Sequence, residues 1–119
     1  MPVQETRSED MTMPQHRATW NNTVIAESAE TIVVDGYLYF PASSVRPEHL
    51  RPSTHHSVCG WKGQASYYDV AAGGDVNRNA AWCYPDPMPE AKMVEGYVGF
   101  WHGVAIEEIA PQETHGRRT

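Results

Sequence analysis

The sequence predicts a mainly β domain of sandwich or barrel-like form, and three observations predict it. Short runs rich in β-branched and aromatic residues recur through the middle of the chain. Gly, Pro, Asn and Asp separate them about every 8–12 residues. Only two short helical segments interrupt the series, which argues against a parallel sheet with crossover helices.

The elements follow in order. Thr23-Val24-Ile25-Ala26 is a strand and Ser28-Ala29-Glu30 turns it. Thr31-Ile32-Val33-Val34 and Tyr37-Leu38-Tyr39-Phe40 flank Asp35-Gly36. That pair suits a two-residue hairpin turn, in which both central positions need positive φ. Pro41 stops the strand. Ser43 or Ser44 would cap a short helix over residues 45–50, which Pro47 confines to about a turn and a half. Residues 52–56 read as loop and residues 64–70 as a strand with Tyr67 and Tyr68 on opposite faces. Gly73-Gly74-Asp75 is a loop tip, and residues 80–84 form a strand with Trp82 and Tyr84 on one face. Pro89 opens a short helix through Val94, and Gly96 ends it. Residues 97–101 and 104–109 make a final pair of strands around His102-Gly103.

A chain of 119 residues fits one domain. Residues 1–17 and 111–119 are polar and lack enough apolar surface to offset the entropy of ordering, so the folded domain is expected over residues 18–110. Net charge is −6 and the pI about 5.4. Lys62 and Lys92 are the only lysines and the arginines are scattered, so the clustered cations that nucleic acid requires are missing. No stretch reaches the length and apolarity of a membrane span. The first residues lack the pattern of a secretion signal, which points to a cytoplasmic protein. There the Asn21-Asn22-Thr23 sequon goes unused, and Cys59 and Cys83 stay reduced. The two cysteines do not make a CxxC pair, and neither a metal nor another cofactor is expected.

Five segments in order are distinctive: Trp20-Asn21-x-Thr23-Val24-Ile25-Ala26, Tyr39-Phe40-Pro41, Cys59-x-Trp61-Lys62-Gly63-x-Ala65-x-Tyr67-Tyr68, Ala81-Trp82-x-Tyr84-Pro85-x-Pro87 and Gly96-Tyr97-Val98-x-Phe100. Together they resemble the domain-of-unknown-function 427 family over nearly all of the expected domain. The resemblance implies a β-tent-like fold, similar to the ligand-binding domain of cereblon, in which two antiparallel sheets meet along one edge with one or two short helices. The family also has a nucleotidyltransferase-like name. That chemistry would need a Gly-Ser turn and an Asp-x-Asp pair converging on magnesium, and no Asp-x-Asp occurs here. Zinc-bearing relatives of the wider group use two cysteine pairs, whereas here only Cys59 sits near a comparable turn. Gly60 stands where the family pattern usually has Pro, so this turn is expected to be less rigid.

Cys59-Gly60-Trp61-Lys62-Gly63 is the most suggestive stretch for chemistry. Two glycines oppose regular structure and let successive N–H groups point outward, a concavity that holds anions. Lys62 adds a positive charge and Cys59 a potential nucleophile. A charge about 4 Å away is worth ~1 kcal/mol in water and ~4 kcal/mol at an effective dielectric near 20, so Lys62 activates Cys59 only under partial burial. His55 or His56 could serve as base, or join Cys59 at a metal, although adjacent histidines point apart in extended chain. The plain alternative is that Cys59 is a small buried hydrophobe and Lys62 a structural ion-pair partner.

Most of the aromatic residues serve a core. Trp61, Tyr67, Trp82 and Tyr84 are expected to face a ligand, since such rings join an apolar body to a polar tip. Asp69 and Asp86 would add acceptors. Three functions remain open at this point. The first is a binding domain for a small polar or anionic molecule, with Lys62 as charged contact. The second is an enzyme with Cys59 and Lys62 as catalytic pair, and the third a module whose motif residues are structural. An exposed sheet edge would let two copies pair as a homodimer.

Overall fold

The computed structural model describes residues 15–109, and within them the chain is mainly β. In chain order the strands are β1 (Gln15–Trp20), β2 (Thr23–Ser28), β3 (Ile32–Val34), β4 (Tyr37–Pro41), β5 (Leu50–Cys59), β6 (Gly63–Ala72), β7 (Asp75–Cys83), β8 (Tyr97–Phe100) and β9 (Ala105–Ile109). They form two antiparallel sheets, a three-stranded one in the order β2-β1-β9 and a six-stranded one in the order β3-β4-β8-β7-β6-β5.

Local turn chemistry sets three of the hairpins. Asp35 and Gly36 (φ 55° and 82°) join β3 to β4, and Gly73 and Gly74 (62° and 84°) join β6 to β7. Asn21 and Asn22 (55° and 60°) join β1 to β2. Each is a two-residue turn with both φ positive, the geometry that matches the twist of paired strands. Asn21 also ties the sheets together, since its Nδ2 donates to the Ala72 carbonyl at 2.8 Å and to Asp75 at 3.1 Å. The sheets meet again where Ala26 of β2 bridges Val45 and the Arg46 N–H donates to the Ile25 carbonyl at 2.9 Å.

The structure corrects the expected elements at four places. β1 begins at Gln15, so residues 15–17 belong to a strand and not to an unstructured end; the rest of residues 1–17, with residues 110–119, lies outside the described residues. β1 is legible only through its partners. It is central in its sheet, Arg17 pairs with Glu27 across the ladder at 3.2 Å, and His16 Nδ1 lies 3.1 Å from the Thr31 hydroxyl. Residues 52–56, expected as loop, lie in β5. This is an edge strand, so Pro52 is tolerated, and a bulge between Pro52 and His56 breaks its register. β8 and β9 do not pair, because the His102-Gly103 turn (φ 56° and 90°) carries the chain from one sheet to the other. The expected helices are 3₁₀ turns over Ala42–Ser44, Pro47–His49 and Pro89–Val94, and no serine caps them. Ser44 instead donates to the Pro41 carbonyl at 2.7 Å.

Strand alternation divides the core between the two faces of the six-stranded sheet. Toward the three-stranded sheet, Phe40, Val70, Ala81 and Phe100 pack with Ala18, Ile25 and Ala26. On the outer face Tyr39, Tyr67, Trp82 and Tyr84 gather over Ala65, with Ala91 and Val94 from the last 3₁₀ segment. Tyr67 and Tyr68 part to opposite faces, as their neighbouring positions require.

Candidate functional site

The outer face opens into a hollow of about 180 Å³ lined by Asp35, Tyr37, Tyr39, Lys62, Tyr67, Trp82, Tyr84 and Trp101. Each comes from a defined place in the fold. Tyr37 and Tyr39 sit two apart on β4 and so share a face, and Trp82, in β7, shares one with Tyr84, the residue just past its end. Tyr67 comes from β6, and Trp101 follows β8.

Trp82 is the centre of the wall. Its ring meets Tyr37, Tyr39 and Trp101 edge to face, with centroids 5.1, 5.9 and 5.2 Å away. Such pairs add about 0.5–1.5 kcal/mol beyond their burial. Its indole lies over Gly99, the facing residue of β8, where a Cβ would stand 2.7 Å from Cζ2. Hydrogen bonds fix the polar tips. Trp82 Nε1 donates to the Tyr39 hydroxyl (3.3 Å), Trp101 Nε1 donates to the Asn79 carbonyl (2.7 Å), and the Tyr67 and Ser57 hydroxyls bond at 2.9 Å.

Lys62 enters from the bend between β5 and β6. Gly63 at φ +112° turns that bend, and the Met88 N–H holds the Lys62 carbonyl at 3.0 Å. The lysine is 6% exposed. Its ammonium donates to Asp35 Oδ2 at 2.6 Å, reaches Cys59 Sγ at 3.7 Å, and lies 4.9 Å from the Trp61 ring centroid and 5.7 Å from that of Tyr84. Trp61 Nε1 donates to the same carboxylate oxygen at 3.2 Å. A turn on one hairpin is thus bonded to both large side chains of another.

The electrostatics follow from these contacts. Burial works against the charged lysine, but the Asp35 hydrogen bond first, then the charges that Tyr84, Tyr39 and Cys59 would carry when ionised, outweigh it and raise its pKa. The Lys62 hydrogen bond holds the Asp35 carboxyl below its ordinary value. Burial pushes Tyr84 up to about 12, with Tyr39 adding to the shift, so its hydroxyl stays protonated. Burial alone would push the Cys59 thiol up, but the backbone N–H groups of Lys62 and Trp61, and then the ammonium, bring it below its ordinary value. Cys83 moves the other way, because it is more deeply buried and only Tyr68 opposes the effect.

Of the residues singled out in the sequence, Lys62, Tyr67, Trp82 and Tyr84 line one hollow. Trp61, 38% exposed, flanks it through its contacts with Lys62 and Asp35. Cys59 touches the lysine but is not among the lining residues. The bend's N–H groups, expected to face an outside anion, act on its sulfur. His55 packs on the Tyr67 ring at 4.6 Å and His56 reaches the Ser66 hydroxyl at 3.4 Å, so each histidine has a contact other than Cys59. Asp69 Oδ1 accepts the Asn79 N–H at 2.9 Å, a structural role, and Asp86 lies beside a separate depression with Gln64, Ser66 and Pro85. Among the described residues no cluster of His, Cys, Asp and Glu is fit to hold a metal ion, and both cysteines are free thiols.

Asp35, Tyr37, Tyr39 and Trp101 are the site residues that sequence reasoning missed. Asp35 reads as a turn former, which it also is. The i, i+2 spacing of Tyr37 and Tyr39 was the available signal for a shared face.

Residues 10–110 match the family model described as Domain of unknown function (DUF427). No curated protein matches the chain. No helix among the described residues is long and apolar enough to cross a membrane.

Proposed function

This chain belongs to the domain of unknown function 427 family, and from that premise we propose that it is a binding domain whose aromatic hollow takes a small polar or anionic molecule. Lys62 is the charged contact, Tyr67, Trp82 and Tyr84 are walls, and Trp61 stands beside the ammonium. The observation that supports this reading most is the lysine itself, a more than nine-tenths buried ammonium in the lining of an aromatic cavity. Taking a charge out of water is costly unless it is paired, and the partner here, Asp35, is half exposed and open to exchange for another anion. The proposed setting is the cytoplasm, where Cys59 and Cys83 stay reduced.

A panel of small anions, read by thermal shift, tests the reading with Lys62→Met, which keeps an unbranched side chain one atom shorter and removes the charge. Loss of the ligand-induced shift in a variant that still melts cooperatively supports the ammonium as contact. An undiminished shift overturns it. A variant that no longer folds favours a purely structural lysine.

A second reading, an enzyme with Cys59 as nucleophile and Lys62 as electrostatic partner, draws on the 3.7 Å contact and the lowered thiol pKa. It stands behind the first because Cys59 is outside the lining. Iodoacetamide labelling against pH in a Cys83→Ala background decides it. An apparent thiol pKa at or above the free value of about 8.5, or no labelling, rejects a nucleophile.

A further inference from the structure

We propose that the hollow takes a small flat carboxylate, which replaces Asp35 on Lys62, so that the β3–β4 turn is a built-in competitor the ligand must displace. The inference rests on the reading of the hollow as a binding site and names the chemical class of its ligand.

The protein's own carboxylate shows what the ammonium accepts, with Asp35 Oδ2 2.6 Å from Nζ. The two partners differ in freedom. Lys62 is buried, on a bend whose backbone is held by the Met88 N–H and with the Trp61 and Tyr84 rings near its ammonium. The Asp35 side chain is half exposed on a two-residue turn, and beside it the Cβ position of Gly36 meets only open space. Its carboxylate can therefore swing into water with little loss of solvation, whereas the lysine must keep an anion beside it. An incoming carboxylate that takes the same place leaves the buried charge balance unchanged. A second anion set beside the intact pair adds an uncompensated charge next to the Asp35 carboxylate, which repels it.

Size and shape narrow the class. An apolar cavity of about 150 Å³ holds benzene, so about 180 Å³ holds one ring and its carboxyl group. The walls suit a flat ring, since Tyr37, Trp82 and Trp101 offer aromatic surfaces to one space. Tyr84 keeps its proton, and its ring, 5.7 Å from the ammonium, brings a hydroxyl donor to the same lining. A phosphate ester, with three oxygens to satisfy, would find a single ammonium in the lining.

The apparent affinity falls by the fraction of molecules in which Lys62 is free of Asp35. The test titrates the full chain with benzoate, followed by calorimetry, with benzamide as a neutral control of the same shape. Asp35→Asn keeps a residue that tolerates positive φ while removing the competing charge. It is expected to bind benzoate about tenfold or more tighter than the wild type. Benzamide should bind weakly and equally to both. Equal benzoate affinity in the two proteins overturns the displacement while leaving a binding site in place. Benzoate bound by neither, with another small anion still shifting the melting temperature through Lys62, overturns the carboxylate class alone. If no anion produces a Lys62-dependent shift, the binding reading itself has failed. Should Asp35→Asn not fold, the wild type decides by NMR. Saturating benzoate must move the Asp35 and Gly36 amide resonances, and resonances that stay in place while benzoate binds overturn the proposal.

Discussion

The two faces of the six-stranded sheet are built from different materials. The fully buried part of the inner face is aliphatic and small, with Val70, Ala80 and Ala81 against Ile25 and Ala26, beside one aromatic pair, Phe40 and Phe100, at 5.7 Å, while Trp20 and Tyr68 pack against it partly buried. The outer face is made of tyrosine and tryptophan, with the polar tips of Tyr39, Tyr67, Trp82 and Trp101 bonded and a buried lysine among them. A face that only needs to exclude water uses side chains without polar atoms, because each such atom requires a partner. The outer face meets that requirement several times over and leaves a hollow as well. The inner face holds the fold together, and the outer face presents chemistry on top of it.

The largest expected effect comes from cutting the inner face. Phe40→Ala removes a fully buried ring and its partner contact with Phe100. It should destabilise the domain by about 3–5 kcal/mol, read from the urea midpoint. On the outer face, Tyr37→Ala removes a ring that is 43% exposed and should cost far less. Similar losses at both positions would mean that the exposed ring of Tyr37 is held as tightly as the inner core and that the division between faces is false.

A smaller effect tests whether the outer face is packed or merely crowded. Gly99→Ala places a methyl group 2.7 Å from Trp82 Cζ2, and the indole, closed in by Tyr37, Tyr39 and Trp101, can yield only toward the hollow. Overpacking of this kind costs about 1–3 kcal/mol. The near-ultraviolet circular dichroism of the coupled tryptophans should change, and small-anion binding should weaken. An alanine accepted with neither change would show that Trp82 is not held as the contacts imply.

The same division explains what could be read in advance. Seven of the strands, the Asp35-Gly36 and Gly73-Gly74 turns and the opposite facing of Tyr67 and Tyr68 follow from local pattern, since β-branched runs, positive-φ turn residues and a period of two act over a few residues. β1 and β5 have no such signal. The polar residues of β1 are held by partners distant in sequence, and β5 lies at an edge where exposure removes the alternation. In the site, Lys62, Tyr67, Trp82 and Tyr84 are conspicuous by type. The partnership of Lys62 with Asp35 spans 27 positions and exists only because two hairpin ends meet. Gly99 gives no sign of its role until Trp82 is seen lying on it.

The finest distinction between the faces is in their response to acid. Lys62 is the buried charged residue among the described residues, so its pair with Asp35, on the outer side, is where acid should be felt most. Asp35 is held below its ordinary value of 3.8 by Lys62. A carboxyl group whose folded pKa is depressed contributes its full stabilisation above the unfolded value and loses it as the pH falls through the folded one. The ion pair should therefore be intact at pH 7 and begin to fail only below about 3.8. Asp35 is half exposed, so water screens the pair and the contribution is small. The comparison that isolates it is a pair of denaturant midpoints, at pH 7 and at pH 3, for the wild type and for Asp35→Asn. The wild type should lose more on acidification than the variant, which has no proton to take up at this position. An equal loss would mean that the contact with Lys62 does not discriminate between the charged and neutral forms of the carboxyl group, and a side chain so loosely held would be no competitor for a ligand.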